Sequence, residues 1–328
     1  MKKMILLIFQ ERKRVKIKQI LQKITFLNEP YTRWKWRERK VSWGAENPDK
    51  IFFVVRRATS KVGLFSLVMT NMGLVRYALE QGYIPVIDMQ SNQNTYLEDS
   101  QVGKVNAWEF YFEQPCGYSL EDIQRSKNII LSDGIITDKN IFPTYKTVKD
   151  ENQLLDWKAF FKKYLRVKTD ILEEMEDLKK KLFAGKKTLG VLCRGTDYTE
   201  QHPKNHPIQP EVTELISKVK RTMQEQNCEC IYLATEDEAA YQQFEKSFGS
   251  MLRVTEAKRC KNVGNVNIND ISYERDHDRY LKGREYLINI LLLAECDCLV
   301  AGSAGGTNAA LLLNQKYDYK YVFDLGVY

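Results

Sequence analysis

The chain alternates short apolar runs with longer amphipathic segments over most of its length. Apolar runs such as "KIFFVV", "YIPVID", "LGVLC" and "CIYLA" are bounded by turn signals, which is typical of strands buried in a parallel sheet. Segments with apolar residues three and four positions apart follow these runs and predict helices. Repeated strand and helix predict an α/β fold with doubly wound parallel sheets.

A strongly helical stretch separates two such alternating regions. At 328 residues the chain is long enough for two domains that each bury a core. We therefore predict a basic amphipathic tail at 1–45, an N-terminal α/β domain at 46–150, a helical bridge at 151–184 and a C-terminal α/β domain at 185–328.

The net charge of +7 is unevenly distributed. Residues 1–45 hold 13 Lys and Arg against three Asp and Glu, so they contribute +10 and the remainder sums to −3. A slightly acidic body argues against a nucleic-acid-binding domain, which carries its basic footprint on the folded part. The apolar run at residues 4–9 is too short for a secretory signal or a membrane span.

The tail itself combines an amphipathic pattern with aromatic residues. Basic residues alternate with apolar ones from residue 14 to 24, and Trp34, Trp36 and Trp43 are interleaved with arginine and lysine. This composition predicts binding to an anionic membrane surface, and the alternative is a solvated helix that packs on the body or on a partner. With no secretory signal, we expect a cytoplasmic protein at the inner face of the cell membrane.

The seven cysteines are odd in number and lie mostly within apolar runs, which favours reduced thiols over a disulfide framework. Two C-x-C pairs, "CEC" and "CDC", lack the spacing of a zinc site. We therefore expect no metal site in this chain.

Three predicted strand ends in the second half carry polar or small residues. Arg194 follows "LGVLC", and ligands of open α/β sheets bind at the carboxyl ends of strands, so this arginine is placed to meet an anion. The alternative is an arginine that pairs with a nearby carboxylate such as Asp197.

The other two ends are "IYLATED" and "LVAGSAGGTNAALLL". In the first, capping explains Asp237, whereas Thr235 and Glu236 are also candidates to face a ribose or a base edge. In the second, a glycine turn before a helix can cradle phosphate through free backbone N–H groups. Since a parallel sheet brings its strand ends together, the three ends predict a nucleotide-sugar site. The candidates in the glycine turn are Gly302, Ser303, Gly305, Gly306 and Thr307.

These segments carry a family resemblance. "LGVLCRGTDYTEQHPKNHPI" resembles the first motif of the fucosyltransferase superfamily that includes α1,6-, α1,2- and protein O-fucosyltransferases. "IYLATED" and "REYLINILLLAECDCLVAGSAGGTNAALLL" resemble its later motifs, and the likeness runs in motif order over most of 50–328. A bacterial surface-glycan member is the expected type.

The resemblance implies a GT-B fold of two facing Rossmann-like domains, with the acceptor on the side of the N-terminal domain at 46–150. It implies GDP-fucose as a donor bound by the C-terminal domain at 185–328, which is then the nucleotide-sugar-binding domain, and no metal. It implies that Arg194 holds the donor β-phosphate, that Ser303 lies on the phosphate side, that Thr235 to Asp237 lie on the nucleoside side, and that Asp197 is the motif aspartate. Leu192 stands where relatives have histidine and Gly195 where the α1,6-enzymes have a second arginine. These departures leave another nucleotide sugar open as donor.

The acceptor side offers fewer signals. Inversion needs a group that takes a proton from the acceptor hydroxyl, and Glu109 and Glu113 lie beside aromatic residues that suit a sugar. The alternative is that Trp108, Tyr111 and Phe112 belong to the core and the carboxylates are solvated. The prolines around His202 and His206 predict a loop that shapes the cleft.

We expect an inverting, metal-independent glycosyltransferase that moves fucose from GDP-fucose to a glycan or a lipid-linked polysaccharide precursor. One alternative is the same fold with another nucleotide sugar. Another is a nucleotide-binding, membrane-associated protein without catalysis, and a third is a nucleic-acid binder that acts through the tail.

Overall fold

The computed structural model describes residues 25–58, 62–135, 141–194, 202, 206–261 and 271–328. They form two α/β units, each built on its own sheet. The N-terminal sheet has the strand order β1 (Arg39–Val41), β4 (Ile129–Leu131), β2 (Phe52–Val55), β3 (Ile84–Ile87). The C-terminal sheet has the order β7 (Leu252–Arg253), β6 (Cys230–Ala234), β5 (Thr188–Leu192), β8 (Cys298–Gly302), β9 (Tyr319–Phe323). The predicted α/β architecture with parallel sheets is confirmed.

The N-terminal unit is built around β2, which pairs in parallel with both β3 and β4. All four residues of β2 are buried, as its unbroken apolar sequence predicts. A buried helix, α2 (Leu64–Glu80), connects β2 to β3 and is followed by Gln81 and the left-handed Gly82. The elements of this unit are α1 Thr25–Trp36, β1 Arg39–Val41, β2 Phe52–Val55, α2 Leu64–Glu80, β3 Ile84–Ile87, α3 Leu120–Ile123 and β4 Ile129–Leu131.

The chain joins this sheet earlier than the pattern predicts. β1 pairs antiparallel with β4, so the sheet begins at Arg39 and not after residue 45. Trp36 is 6% exposed, and its ring fills the space beside Gly134, where a Cβ would collide with it. The last part of the predicted tail is thus anchored on the body, and residues 1–24 lie outside the described residues.

Three helices lie between the two units, α4 Tyr145–Lys149, α5 Glu151–Tyr164 and α6 Thr169–Phe183. The predicted bridge is formed by the last two. It packs against the C-terminal unit, where Arg284 lies 2.8 Å from Asp170 and 2.6 Å from Glu174.

The C-terminal unit is a five-stranded sheet whose strand pairs are all parallel. Leu189 and Val191 of the central strand face α7 (Val212–Gln226) and α8 (Glu238–Phe248), whereas Leu192 packs with the cluster that contains α9 (Asp278–Ala294) and α10 (Gly305–Leu313). Helices therefore cover both faces, as predicted for a doubly wound sheet. The elements are β5 Thr188–Leu192, α7 Val212–Gln226, β6 Cys230–Ala234, α8 Glu238–Phe248, β7 Leu252–Arg253, α9 Asp278–Ala294, β8 Cys298–Gly302, α10 Gly305–Leu313 and β9 Tyr319–Phe323.

The two units are in direct contact through α9. Tyr111 of the N-terminal unit donates a hydrogen bond to the Tyr280 carbonyl at 2.9 Å, and their rings stack. Gly283 lies under Tyr111 and Tyr96, in a space that a Cβ would fill. The glycine is required here because two buried rings approach the helix backbone closely.

Candidate functional site

Three adjacent strands deliver the candidate residues to one edge of the C-terminal sheet. β5 lies between β6 and β8 and is parallel to both, so the segments that follow them meet at their carboxyl ends. Arg194, Glu236 and Ser303 are the second residue after β5, the second after β6 and the first after β8. The convergence that the strand order requires is therefore present.

Arg194 is held by a carboxylate from the neighbouring strand end. Its Nη1 donates to Glu236 Oε2 at 3.0 Å, with the two side chains 17% and 36% exposed. The sequence left two roles open for Arg194, binding an anion or pairing with a nearby carboxylate such as Asp197. The structure shows a carboxylate partner, and this partner is Glu236. Asp197 lies in the stretch 195–201, outside the described residues.

The turn after β8 presents polar groups without partners. Ser303 is 3% exposed, and within the described part of the chain its Oγ has no hydrogen-bond partner. The next residue, Ala304, caps α10 without a side-chain hydrogen bond. The first-turn N–H groups of a helix lack intrahelical acceptors and carry partial positive charge. Hydroxyl and amide donors at one point make this turn suited to an anion.

The glycines of this turn have different roles. A Cβ on Gly306 would lie 2.5 Å from the Tyr286 hydroxyl, and one on Gly302 would collide with Gln209, which also donates to the Ser303 carbonyl at 2.7 Å. These two glycines are explained by packing. A Cβ on Gly305 would meet atoms no nearer than 3.8 Å, the nearest being Ser66 N of α2. The first turns of α10 and α2 thus lie against each other.

Two neighbouring pockets lie along this edge and share Thr235, Glu236, Tyr286 and Asn289. We call the two together the strand-end groove. Tyr286 also packs edge to face on Phe65 of α2, with ring centroids 5.7 Å apart, so the N-terminal unit reaches the groove. The remaining lining residues are Leu192, Cys193, Arg194, Ala234, Ala257, Lys258, Tyr273, Lys282, Glu285 and Ala304.

Sequence reasoning missed Tyr286, Asn289 and Lys282, which lie on α9. Their segment is rich in leucine and isoleucine, and it indicates a core helix. Asn289 Oδ1 accepts from the Tyr232 hydroxyl at 2.8 Å and from Thr255 at 2.7 Å, which fixes the polar end of the groove. The one signal in the sequence that could have indicated this site is Asn289, a polar residue within an apolar helix.

Asp237 is engaged in starting α8. It is 4% exposed, and its Oδ1 accepts from Ala240 N at 3.0 Å, as the capping interpretation predicts. The Asp237 backbone N–H donates to Thr235 Oγ1 at 3.2 Å. A nucleoside contact by Thr235 or Asp237 stays a prediction.

Tyr96, another residue missed from the sequence, brings the N-terminal unit close to the ion pair. Burial, with Tyr286 and Glu236 nearby, raises the pKa of its hydroxyl well above the usual value, whereas Arg194 lowers it. The Tyr96 hydroxyl therefore stays neutral at ordinary pH.

The aromatic segment of the N-terminal unit belongs to the core. Trp108, Tyr111 and Phe112 are at most 1% exposed, so the prediction that they form a platform for a sugar is wrong. Glu109 is half-buried, and its Oε1 accepts from Gln114 at 2.8 Å and Asn106 at 3.3 Å. Glu113 is exposed, and neither glutamate is among the residues that line the strand-end groove.

All seven cysteines are free thiols, and burial raises the pKa of Cys193 to about 12. The described residues contain no group of three or more His, Cys, Asp and Glu placed to hold a metal ion. Among the same residues, every helix is too short or too polar to cross a bilayer.

Comparison with solved structures identifies the fold. A NodZ α-1,6-fucosyltransferase soaked with GDP-fucose is 17% identical, with a TM-score of 0.50 over 84% of this chain and 96% of that one. A NodZ fucosyltransferase from Bradyrhizobium is 15% identical, with a TM-score of 0.50 over 84% and 95%. POFUT1 in complex with GDP is 8% identical, with a TM-score of 0.53 over 85% and 99%.

No family model matches the chain, and no curated protein matches it in sequence. The expected fold is nevertheless confirmed, because the match to these structures extends over both units. The chain has the same GT-B fold as these fucosyltransferase structures.

Proposed function

We propose that this chain is a glycosyltransferase that binds GDP-fucose and transfers fucose to a glycan or a lipid-linked polysaccharide precursor. The observation that carries the proposal is the convergence of Arg194, the buried Ser303 hydroxyl and the first turn of α10 at one edge of the sheet. Structures of the same fold hold GDP or were soaked with GDP-fucose, which supports the choice of donor.

Each group has a role in releasing a diphosphate. A guanidinium stays charged and contacts phosphate oxygens in a bidentate manner, so its attraction grows as the bond to the sugar breaks. The Ser303 hydroxyl and the N–H groups of α10 donate to further oxygens. These fixed donors favour a reaction that needs no metal, and we expect excess EDTA to leave turnover unchanged.

Inversion of the sugar requires direct attack by the acceptor and a base that accepts its proton. Among the residues predicted from sequence, Glu109 is the carboxylate that we assign to this role, and Asp197 is assigned beside Arg194 by resemblance. The two amides that donate to Glu109 fix the orientation of its carboxylate.

A transferase with a different nucleotide sugar is the second candidate. Leu192 stands where the family resemblance predicts a histidine, and it lines the groove as an apolar residue. That substitution removes a polar contact and favours a different base or sugar at this position.

We further propose that the acceptor lies at an anionic membrane surface. Trp34 and Trp43 are 58% and 40% exposed, and Arg33, Arg37, Arg39 and Lys40 are exposed beside them. Exposed indole rings next to basic side chains suit the interface of an anionic leaflet. The alternative, a membrane-associated nucleotide-binding protein without catalysis, would have the same surface. Measured turnover of GDP-fucose by the purified protein would exclude it.

Thermal unfolding in the presence of GDP, UDP, CDP, ADP or dTDP tests the donor, because a ligand that binds the native state raises the Tm. GDP should raise the Tm of the wild type and of Arg125→Ala, whose exposed arginine pairs with Glu46. In Arg194→Ala, GDP should no longer raise the Tm. If a nucleotide other than GDP raises the Tm, the donor is a different nucleotide sugar. If none of the nucleotides raises the Tm, the proposal is overturned.

A further inference from the structure

Arg57 lies on the side of the N-terminal unit that faces the C-terminal one. It is the second residue after β2, at the carboxyl end of a strand that runs parallel to both its neighbours. Ligands of open α/β sheets bind beyond this edge. Phe53 and Val55 pack in the cluster that contains α2, and strand alternation places Arg57 on the same face.

The guanidinium of Arg57 is oriented but not neutralised. Its Nη1 donates to Thr70 Oγ1 of α2, a neutral acceptor, and its Nε is buried with no hydrogen-bond partner in the described part of the chain. Burial lowers the pKa of Arg57, and among the described residues no carboxylate opposes that shift. Two other half-buried arginines are paired with carboxylates: Arg275 with Asp278 at 2.8 Å, and Arg284 with two carboxylates of α6.

Leaving a buried cation without a carboxylate costs stability, because desolvation is not offset by an opposite charge. A protein retains such a group where an anion from outside completes the pair. Arg57 is half-buried, so one side of the guanidinium remains accessible to such an anion.

A short chain of contacts connects Arg57 to the anion-binding turn. Thr70 Oγ1 donates to the Ser66 carbonyl at 2.9 Å, one helical turn earlier in α2. Ser66 N in turn lies 3.8 Å from the position of a Cβ on Gly305, in the first turn of α10. Arg57 is thus separated from the Ser303 turn by a single helical turn of α2.

We propose that Arg57 is an anion-binding residue on the N-terminal side of the site, where it contacts a phosphate or carboxylate group of the bound substrate. The inference rests on the proposed function in that this substrate is the donor or the acceptor of the transfer. In the absence of substrate Arg57 lowers stability, and in its presence the guanidinium completes the charge pairing across the two units.

The test compares Arg57→Met with Arg56→Met. Arg56 is adjacent and buried, but its guanidinium donates to the Ser132 and Arg37 carbonyls at 2.9 and 3.0 Å, so it is a structural control. Without ligand, Arg57→Met should keep or raise the Tm, whereas Arg56→Met should lower it. Calorimetric titration with pyrophosphate and with GDP, and with inorganic phosphate at saturating GDP, then measures anion binding.

Arg57→Met should weaken the binding of at least one of these anions tenfold or more, and Arg57→Lys should restore part of the lost affinity. Weaker GDP binding assigns the anion to the donor, and loss of the added phosphate assigns it to the acceptor. Unchanged binding, a fall in Tm like that of Arg56→Met, or a wild type that binds none of the three anions would overturn the inference.

The two proposals fail in different ways. If Arg57→Met binds every anion like the wild type while GDP remains the preferred nucleotide, the role of Arg57 is wrong and the transferase proposal stands. If phosphate binding depends on Arg57 but no nucleotide is preferred, the role of Arg57 stands and the donor assignment is wrong.

Discussion

Arg194 and Glu236 form an ion pair across the ends of two adjacent parallel strands, with Nη1 3.0 Å from Oε2. The arginine that the site offers to a diphosphate therefore already has a carboxylate partner from its own sheet. A phosphate that approaches Arg194 has to compete with Glu236 for the guanidinium or share it. Glu236 thus sets the affinity of the site for anions.

Glu236→Gln should bind pyrophosphate several-fold more tightly, because the variant removes a negative charge beside Arg194. The loss of the pair should lower the free energy of unfolding by no more than about 1 kcal/mol, since both side chains are partly exposed. Calorimetric titration checks the affinity. If Glu236 also contacts the nucleoside, GDP binding weakens while pyrophosphate binding tightens; weaker pyrophosphate binding would contradict the competition.

Ser303→Ala should leave the ligand-free protein as stable as the wild type or slightly more stable, because it removes a buried hydroxyl that lacks a partner. The same change should weaken GDP binding by about 1 kcal/mol, or roughly fivefold, through the loss of one hydrogen bond. Urea unfolding and calorimetry measure the two effects. A destabilised variant with unchanged affinity would assign Ser303 a structural role.

Glu109→Gln tests the proposed base. We expect kcat to fall by about 100-fold with KM for the donor unchanged, because an amide cannot accept the proton. The matched variant is Glu113→Gln, which changes an exposed glutamate of the same loop and should keep wild-type kcat. If both variants turn over like the wild type, the base is another residue.

Gly283→Ala tests the contact between the units. A Cβ there would collide with Tyr111 and lie 2.9 Å from Tyr96, and both rings are buried. We expect the free energy of unfolding to fall by about 1–3 kcal/mol, as for other overpacked sites. Gly63→Ala is the control, because nothing lies within 4 Å of its added Cβ. Equal stability of the two variants in urea unfolding would refute this packing.

The sequence predicted the strands, the parallel order and the convergence of the strand ends, because these follow from local apolar runs and the geometry of α/β sheets. It failed where distant segments meet. Tyr286 and Asn289 lie on a helix whose composition indicates core, and Tyr96 of the other unit lies against the same helix at Gly283. Periodicity shows which face of an element is buried, but it does not show which residues of remote elements lie together.

The aromatic segment around Trp108 is a second place where the sequence alone does not decide between a functional and a structural role. Tryptophan and tyrosine beside glutamates are compatible with both a sugar platform and a core, and burial of Trp108 and Tyr111 decides for the core. The edge strand β1 was missed because its sequence, "RKV", is short and mostly charged, and its pairing with β4 holds it in the sheet.

Calorimetric titration with intact GDP-fucose is the most direct test of the central claim that Arg194 anchors a nucleotide-sugar diphosphate. We predict one site per chain in the wild type, binding at least 100-fold weaker in Arg194→Ala, and partial recovery in Arg194→Lys. A wild type that does not bind GDP-fucose, or an Arg194→Ala variant that binds it as tightly as the wild type, would contradict the account.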